Sequence, residues 1–381
     1  MALLQRKITI DTEREAQRHM PRRELHATAR APSARYTASA RTFKTKGSLV
    51  RRLFGIALAM ACTWVALPAH SADAEPDYDR ACRLTLHATL DLETAPNGVT
   101  LVPISFNGTD AWMILSTAMP FSLVTDASMT AFNLKRESIS GKAGLQVYGK
   151  PLTDTVTIRS LNLGGVTFQN SVMMVEPRKD TERPPVLFGR PVIGNLGLDV
   201  FSHFDFELNL ADGKLLIFSE NHCPGAGVYW TRNFSAMPFD RDWLGNLYFP
   251  LELDGKFVEA TLSTQSVVST IDSEVTLKVY GFDEHSPEVL PDKSPGAEKT
   301  SFRAMSLTAP GLSINNARIK LVHRTGTCSQ QTRTTNRVPA IGYSDCPGSF
   351  PLYLGRNVLE KLRIYVATKD KMIYFSRADA N

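Results

Sequence analysis

Two segments of the chain superpose without a gap at an offset of 147 residues: VPISFNGTDAWMILST at 102–117 and FPLELDGKFVEATLST at 249–264. Pro103 meets Pro250, Gly108 meets Gly255, and Leu115-Ser116-Thr117 meets Leu262-Ser263-Thr264; five residues on, Ser122 meets Ser269. Each copy alternates apolar residues on both sides of Asn107-Gly108 or Asp254-Gly255. That pattern predicts a strand, a two-residue turn and a second strand.

A second match closes each copy. VIGNLGLDVFSHFDFELNLADGKLLIF from Val192 and PLYLGRNVLEKLRIYVATKDKMIYF from Pro351 align at an offset of 158, with Leu196-Gly197 on Leu354-Gly355. In both, Leu-Gly leads into a short helical stretch and two alternating strands around a turn. Two copies of so long a period indicate a duplicated domain, not a repeat array. The expected fold class is all-β, with two lobes at 80–222 and 223–381 related by a pseudo-twofold axis and carrying short helices.

A Gly turn, an apolar strand, a three-residue loop, a Gly-containing hairpin and then apolar-Leu-Gly resemble the retropepsin-like aspartic protease domain. The resemblance covers nearly all of residues 82–376, in tandem as in bacterial exported members. In that family the loop is Asp-Thr-Gly, one from each lobe, and the Leu-Gly elements pack beside the loops. The match sets Ser116-Thr117-Ala118 and Ser263-Thr264-Gln265 at those places.

Both aspartates of the family are thus replaced, by Ser116 and Ser263. The family's chemistry uses two carboxylates that share one proton, one activating water while the other donates to the scissile carbonyl. A serine hydroxyl does neither, so no catalytic residue is expected at these positions. Ala118 and Gln265 add Cβ atoms where the family keeps bare backbone. Thr117 and Thr264 match threonines that brace the two loops against each other, which implies a surviving frame without its reaction.

No other catalytic constellation is legible. A serine nucleophile needs a neighbouring base, and the chain has no G-x-S-x-G elbow and no spaced His partner. Asp126 and Asp272, beyond the two serines, are expected to cap the short helices that follow. The resemblance implies a cleft over the two loops, lined by Ala118 and Gln265 and covered by flaps, that holds an extended peptide or protein segment. The first flap centres on Val147-Tyr148-Gly149-Lys150, with Tyr148 and Gly149 at its tip; the second falls at 291–302.

Three readings of function stay open: a peptide-binding protein that does not cut, an active aspartic-type endopeptidase with an atypical site, and a structural domain whose cleft is filled by Met119, Phe121 and Gln265. No cofactor and no metal are expected, since the chain lacks C-x-x-C and closely spaced His/Cys groups.

The leader governs compartment and charge. Arg51-Arg52, the apolar run Leu53–Leu67 and the small residues of PAHSADA read as a signal peptide over 49–74. The run is shorter than a bilayer span, so no membrane segment is expected once it is removed. Residues 1–48 read as a disordered extension or a start assigned too far upstream. Residues 1–52 carry 13 Lys and Arg against 4 Asp and Glu, and the rest of the chain 30 against 34. The body therefore has no basic footprint for nucleic acid.

Export to the periplasm or medium makes disulfides the expected state of Cys82, Cys223, Cys328 and Cys346, with three pairings open. Cys328 with Cys346 would close a local loop, and Cys82 with Cys223 would tie the ends of the first lobe. The internal pseudo-dimer implies a monomer.

Overall fold

The computed structural model describes residues 8–11, 82–139, 146–147, 150–177, 183–291, 301–323, 328–344, 346, 348 and 349–379. Residues 49–74, expected to be a signal peptide, and all but 8–11 of the segment before them lie outside the described residues, as do Tyr148-Gly149, expected at a flap tip, and residues 292–300.

The protein is all-β and built twice. In the first lobe Thr100–Phe106 and Thr109–Leu115 form an antiparallel hairpin, and in the second Leu247–Leu253 and Lys256–Leu262 do the same. Both turns carry two residues of positive φ, Asn107-Gly108 at 50° and 86° and Asp254-Gly255 at 43° and 81°. Such a turn follows the right-handed twist of its strands, which is why Asn-Gly and Asp-Gly mark it. Each copy continues through a short strand, a short helix and a long hairpin: Asp154–Leu163 with Val166–Val175, and Ser301–Ala309 with Leu312–Val322.

The Leu-Gly elements close each lobe. Arg190–Leu196 runs parallel to Thr109–Leu115 on one side and antiparallel to Leu123–Val124 on the other. Leu352–Leu354 likewise lies between Lys256–Leu262 and Ser269–Asp272. The three-residue loop leaves one flanking strand and returns as the other, so this threading fixes the loop between two hydrogen-bonded neighbours.

A six-stranded sheet joins the lobes in the order Ser235–Pro238, Met372–Arg377, Leu362–Ala367, Phe204–Asn209, Lys214–Ser219, Leu86–Asp91. At its centre Phe206 pairs with Val366, Leu208 with Ile364, and Glu207 with Tyr365. Under the 158-residue offset these pairings map onto one another, so Glu207 and Tyr365 sit on the pseudo-twofold axis. Phe206, Leu208, Ile364 and Val366 are buried in one continuous core with Leu115, Leu196, Leu262 and Leu354. Each such side chain contributes about 1.5–3 kcal/mol, and here that burial anchors both loops to the same interior.

Ile8–Asp11 pairs in parallel with Leu312–Asn315 of the second lobe. Among the described residues no helix is long and apolar enough to cross a membrane. Disulfides join Cys82 to Cys223 and Cys328 to Cys346.

Candidate functional site

The two Ser-Thr loops meet at the axis. The Thr117 backbone N–H donates to the Thr264 hydroxyl at 3.2 Å, the Thr264 N–H donates to the Thr117 hydroxyl at 3.2 Å, and the hydroxyl oxygens lie 3.4 Å apart. The Thr264 hydroxyl also donates to the Leu115 carbonyl at 2.5 Å. Both threonines are buried, so these exchanges satisfy groups that water does not reach.

Each loop is tied to the Leu-Gly element of its own lobe. Ser116 N–H donates to the Leu196 carbonyl and Ser263 N–H to the Leu354 carbonyl, at 2.9 and 2.8 Å. The Ser122 hydroxyl accepts from Gly197 N–H at 3.0 Å and donates to Asp199; the Ser269 hydroxyl accepts from Gly355 N–H at 2.9 Å and donates to Asn357. The matched pair Ser122 and Ser269 is thus explained: each is the pin between loop and helical turn. Burial pushes the Asp199 carboxyl up, against the lowering pull of the Ser122 and Val200 hydrogen bonds.

The serine side chains face no carboxylate. Ser116 donates to the Ile114 carbonyl at 3.2 Å and reaches Asn195 Oδ1 at 3.5 Å; the Ser263 hydroxyl bonds the Ser266 hydroxyl at 2.8 Å. Asp126 and Asp272 do not come to the loops. Asp272 caps its helix as expected, accepting from Glu274 N–H, and its other oxygen takes the Tyr343 hydroxyl. Asp126 does not cap: Thr125 holds that place, accepting from Ser128 N–H, and Asp126 is the first helical residue, paired with Arg136. A threonine one residue earlier offers the same acceptor, which freed the aspartate for an ion pair on the surface. No group of three His, Cys, Asp or Glu among the described residues could hold a metal ion.

Gln265 crosses the junction. Its Nε2 donates at 2.8 Å to Oδ1 of Asn195, which stands two residues before Gly197 in the first lobe. Ala118 is half-buried beside the first loop. Met119 spends its backbone on the local turn, its N–H donating to Ser116 O and its carbonyl accepting from Leu198 N–H. Tyr148 and Gly149 lie outside the described residues, but Gln146 pairs with Pro151 and Val147 with Lys150, flanking them as two strands. Where the second flap is expected, Leu290 pairs with Phe302 and Pro291 with Ser301.

Two features of the junction were not read from the sequence. The turn ending at Gly98 lies against Val267 of the second lobe, where an added Cβ would stand 2.7 Å from Val267 Cγ2, and Arg356 donates to the Gly98 carbonyl at 3.3 Å. The equivalent turn ends at Gly245 and faces Pro120 of the first lobe. Extending the 147-residue offset upstream and downstream pairs Gly98 with Gly245 and Pro120 with Val267, and that was the available signal. Asn195 is the other: its counterpart at the 158-residue offset is Tyr353, so nothing in the repeat marked it.

A cavity of about 370 Å³ opens beside the first loop, lined in part by Ile114, Asn195 and Gln265. A larger concavity of about 610 Å³ lies on the first lobe between Leu90, Asp110, Trp112 and Phe188, and includes no residue of either loop.

No family model matches the sequence, and no curated protein matches it. Among solved structures the chain is similar to conglutin gamma, a basic 7S globulin from lupine seeds, at 11% identity and a TM-score of 0.41 over 77% of this chain and 95% of that one. It is similar to an aspartic proteinase from Irpex lacteus at 10% identity and a TM-score of 0.45, over 77% and 98%. A basic 7S globulin from soybean matches at 12% identity and a TM-score of 0.39, over 78% and 99%.

Proposed function

We propose that this is an exported protein on an aspartic-protease frame that binds an extended peptide segment between its lobes without hydrolysing it. The observation that carries the reading is the pairing of Thr117 with Thr264 beside two serines whose hydroxyls bond Ile114 O, Asn195 and Ser266 in place of a carboxylate partner. Proton-sharing catalysis needs an acid and a base at that point. Two disulfides, and no spanning helix among the described residues, are compatible with a periplasmic or extracellular location.

The test uses the full chain with a library of fluorogenic peptides from acidic to neutral pH, with binding followed in parallel by fluorescence polarisation. Binding without turnover is expected. Turnover that persists in the Ser116→Ala, Ser263→Ala double variant and is abolished by removing a carboxylate would overturn the reading in favour of an atypical protease. Absence of any binding would favour a purely structural role, to which the Gln265–Asn195 bond across the junction lends support.

A further inference from the structure

The cavity beside Ser116 has an apolar wall made by Val99, Ile114, Pro185 and Val192, and its size of about 370 Å³ falls among small-ligand sites. Set into that wall is Asn195, only 5% exposed and held in mid-sheet by register with Ile114 on one side and Leu123 on the other. Its Oδ1 accepts from Gln265 at 2.8 Å and lies 3.5 Å from the Ser116 hydroxyl, whose one proton goes to the Ile114 carbonyl. Among the described residues its amide nitrogen has no hydrogen-bond partner, and neither has the Gln265 carbonyl oxygen. Reversing both amides changes nothing essential: the pair still bonds once and still leaves one donor and one acceptor.

Neither atom is among the buried side-chain atoms left without a partner, so each stays open to solvent at the cavity. The second lobe closes the equivalent place. At the position equivalent to Asn195 stands Tyr353, whose hydroxyl donates to the Gly348 carbonyl at 2.9 Å. Ala118 stands at the equivalent of Gln265, so the amide pair breaks the pseudo-twofold symmetry of the cleft.

We infer that this cavity seats a carboxamide side chain, Asn or Gln, of the bound peptide against Asn195 and Gln265, and that this one-sided site fixes the direction in which the peptide lies. The inference rests on the peptide-binding reading above. A carboxamide presents the complementary acceptor and donor together. A carboxylate offers no donor to the Gln265 oxygen and would meet Glu176, which also lines the cavity; an ammonium offers no acceptor to the Asn195 nitrogen.

Four pools of short random peptides, identical except for a central Gln, Leu, Glu or Lys, are titrated against the full chain by fluorescence polarisation. The Gln pool is expected to bind about tenfold or more tightly than the other three, since two added hydrogen bonds are at stake. Gln265→Leu and Asn195→Asp should each erase that preference; Gln265 is half-buried, so its variant keeps the test usable if the Asn195 change unfolds the protein. Equal binding of all pools, a preference for Lys or Glu, or a Gln preference that survives in a folded variant would overturn the inference and leave the groove standing. No binding by any pool would overturn both.

Discussion

Thr117 and Thr264 stand 147 residues apart in the chain, and each gives its backbone N–H to the other's hydroxyl oxygen. The two bonds form one reciprocal unit, because each side chain serves the other's backbone. Truncating either hydroxyl strands a buried N–H on the opposite lobe. Thr117→Val and Thr264→Val should therefore each cost about 1–3 kcal/mol in urea denaturation. The double variant should cost less than the sum, by a coupling of about 0.5–3 kcal/mol. Strict additivity would mean that the hydroxyls act separately.

The Leu-Gly elements make a sharper prediction about space. A Cβ on Gly197 would lie 2.5 Å from the Phe121 carbonyl, and one on Gly355 would lie 2.4 Å from the Val268 carbonyl carbon. Both obstacles are backbone three residues beyond the loop, so no rotamer relieves them. Gly197→Ala and Gly355→Ala should each cost more than about 3 kcal/mol or prevent folding. Gly108→Ala is the control: its Cβ meets nothing within 4 Å, and only its φ of 86° resists. A loss of about 1 kcal/mol is expected there. Thermal melts that rank Gly108→Ala as the most damaging of the three would refute this account of the packing.

The duplicated fold was legible because a repeat compares the chain with itself. Asn107-Gly108 and Asp254-Gly255 announced their hairpins through the backbone angles those residues tolerate. The helix cap was missed by one residue, since Thr125 and Asp126 offer the same chemistry and only the fold decides which side chain points at Ser128 N–H. Asn195 and Gln265 were harder still. Their bond joins residues 70 apart on different lobes, and each interrupts the repeat, so neither periodicity nor internal comparison could pair them. Among the cysteines, spacing left three pairings open, and the six-stranded sheet decides by bringing the start of the first lobe beside the segment that leaves it.

The two disulfides should differ in weight. Cys82 and Cys223 are separated by 141 residues, Cys328 and Cys346 by 18. By chain entropy the long closure stabilises by about 5 kcal/mol and the short one by about 3 kcal/mol. Replacing Cys82 and Cys223 together by Ala should lower the urea midpoint more than replacing Cys328 and Cys346. The reverse order, in folded proteins with unchanged m-values, would show that local packing outweighs closure of the first lobe.

His222 and Asp205 form a buried pair under the segment linking the lobes, with side chains 2% and 1% exposed and Nε2 2.5 Å from Oδ2. Nδ1 of His222 faces the Cys223 carbonyl at 2.8 Å, while Asp205 also accepts from Tyr365 and from Thr368 N–H. Burial raises the Asp205 carboxyl above its usual range despite those bonds. For His222, burial lowers the imidazole, but the hydrogen bonds to Asp205 and the Cys223 carbonyl, with the nearby charges of Asp205 and Asp370, outweigh it and the net shift is upward. An ordinary ion pair would lower its carboxylate; here both shifts run the same way, so the folded pair holds protons more tightly than the unfolded chain does. The Asp205 share of that stabilisation is complete below about 4, the ordinary carboxylate value, and is lost as pH rises through its raised value; the His222 share is complete below about 6.5, the ordinary histidine value, and is lost as pH rises through the raised value of His222. Stability measured in urea should fall over that interval in the wild type and fall less in His222→Gln, so that the difference between the two proteins narrows as pH increases. A difference that stays constant between about pH 6 and 9 would show that His222 does not hold its proton through this pair.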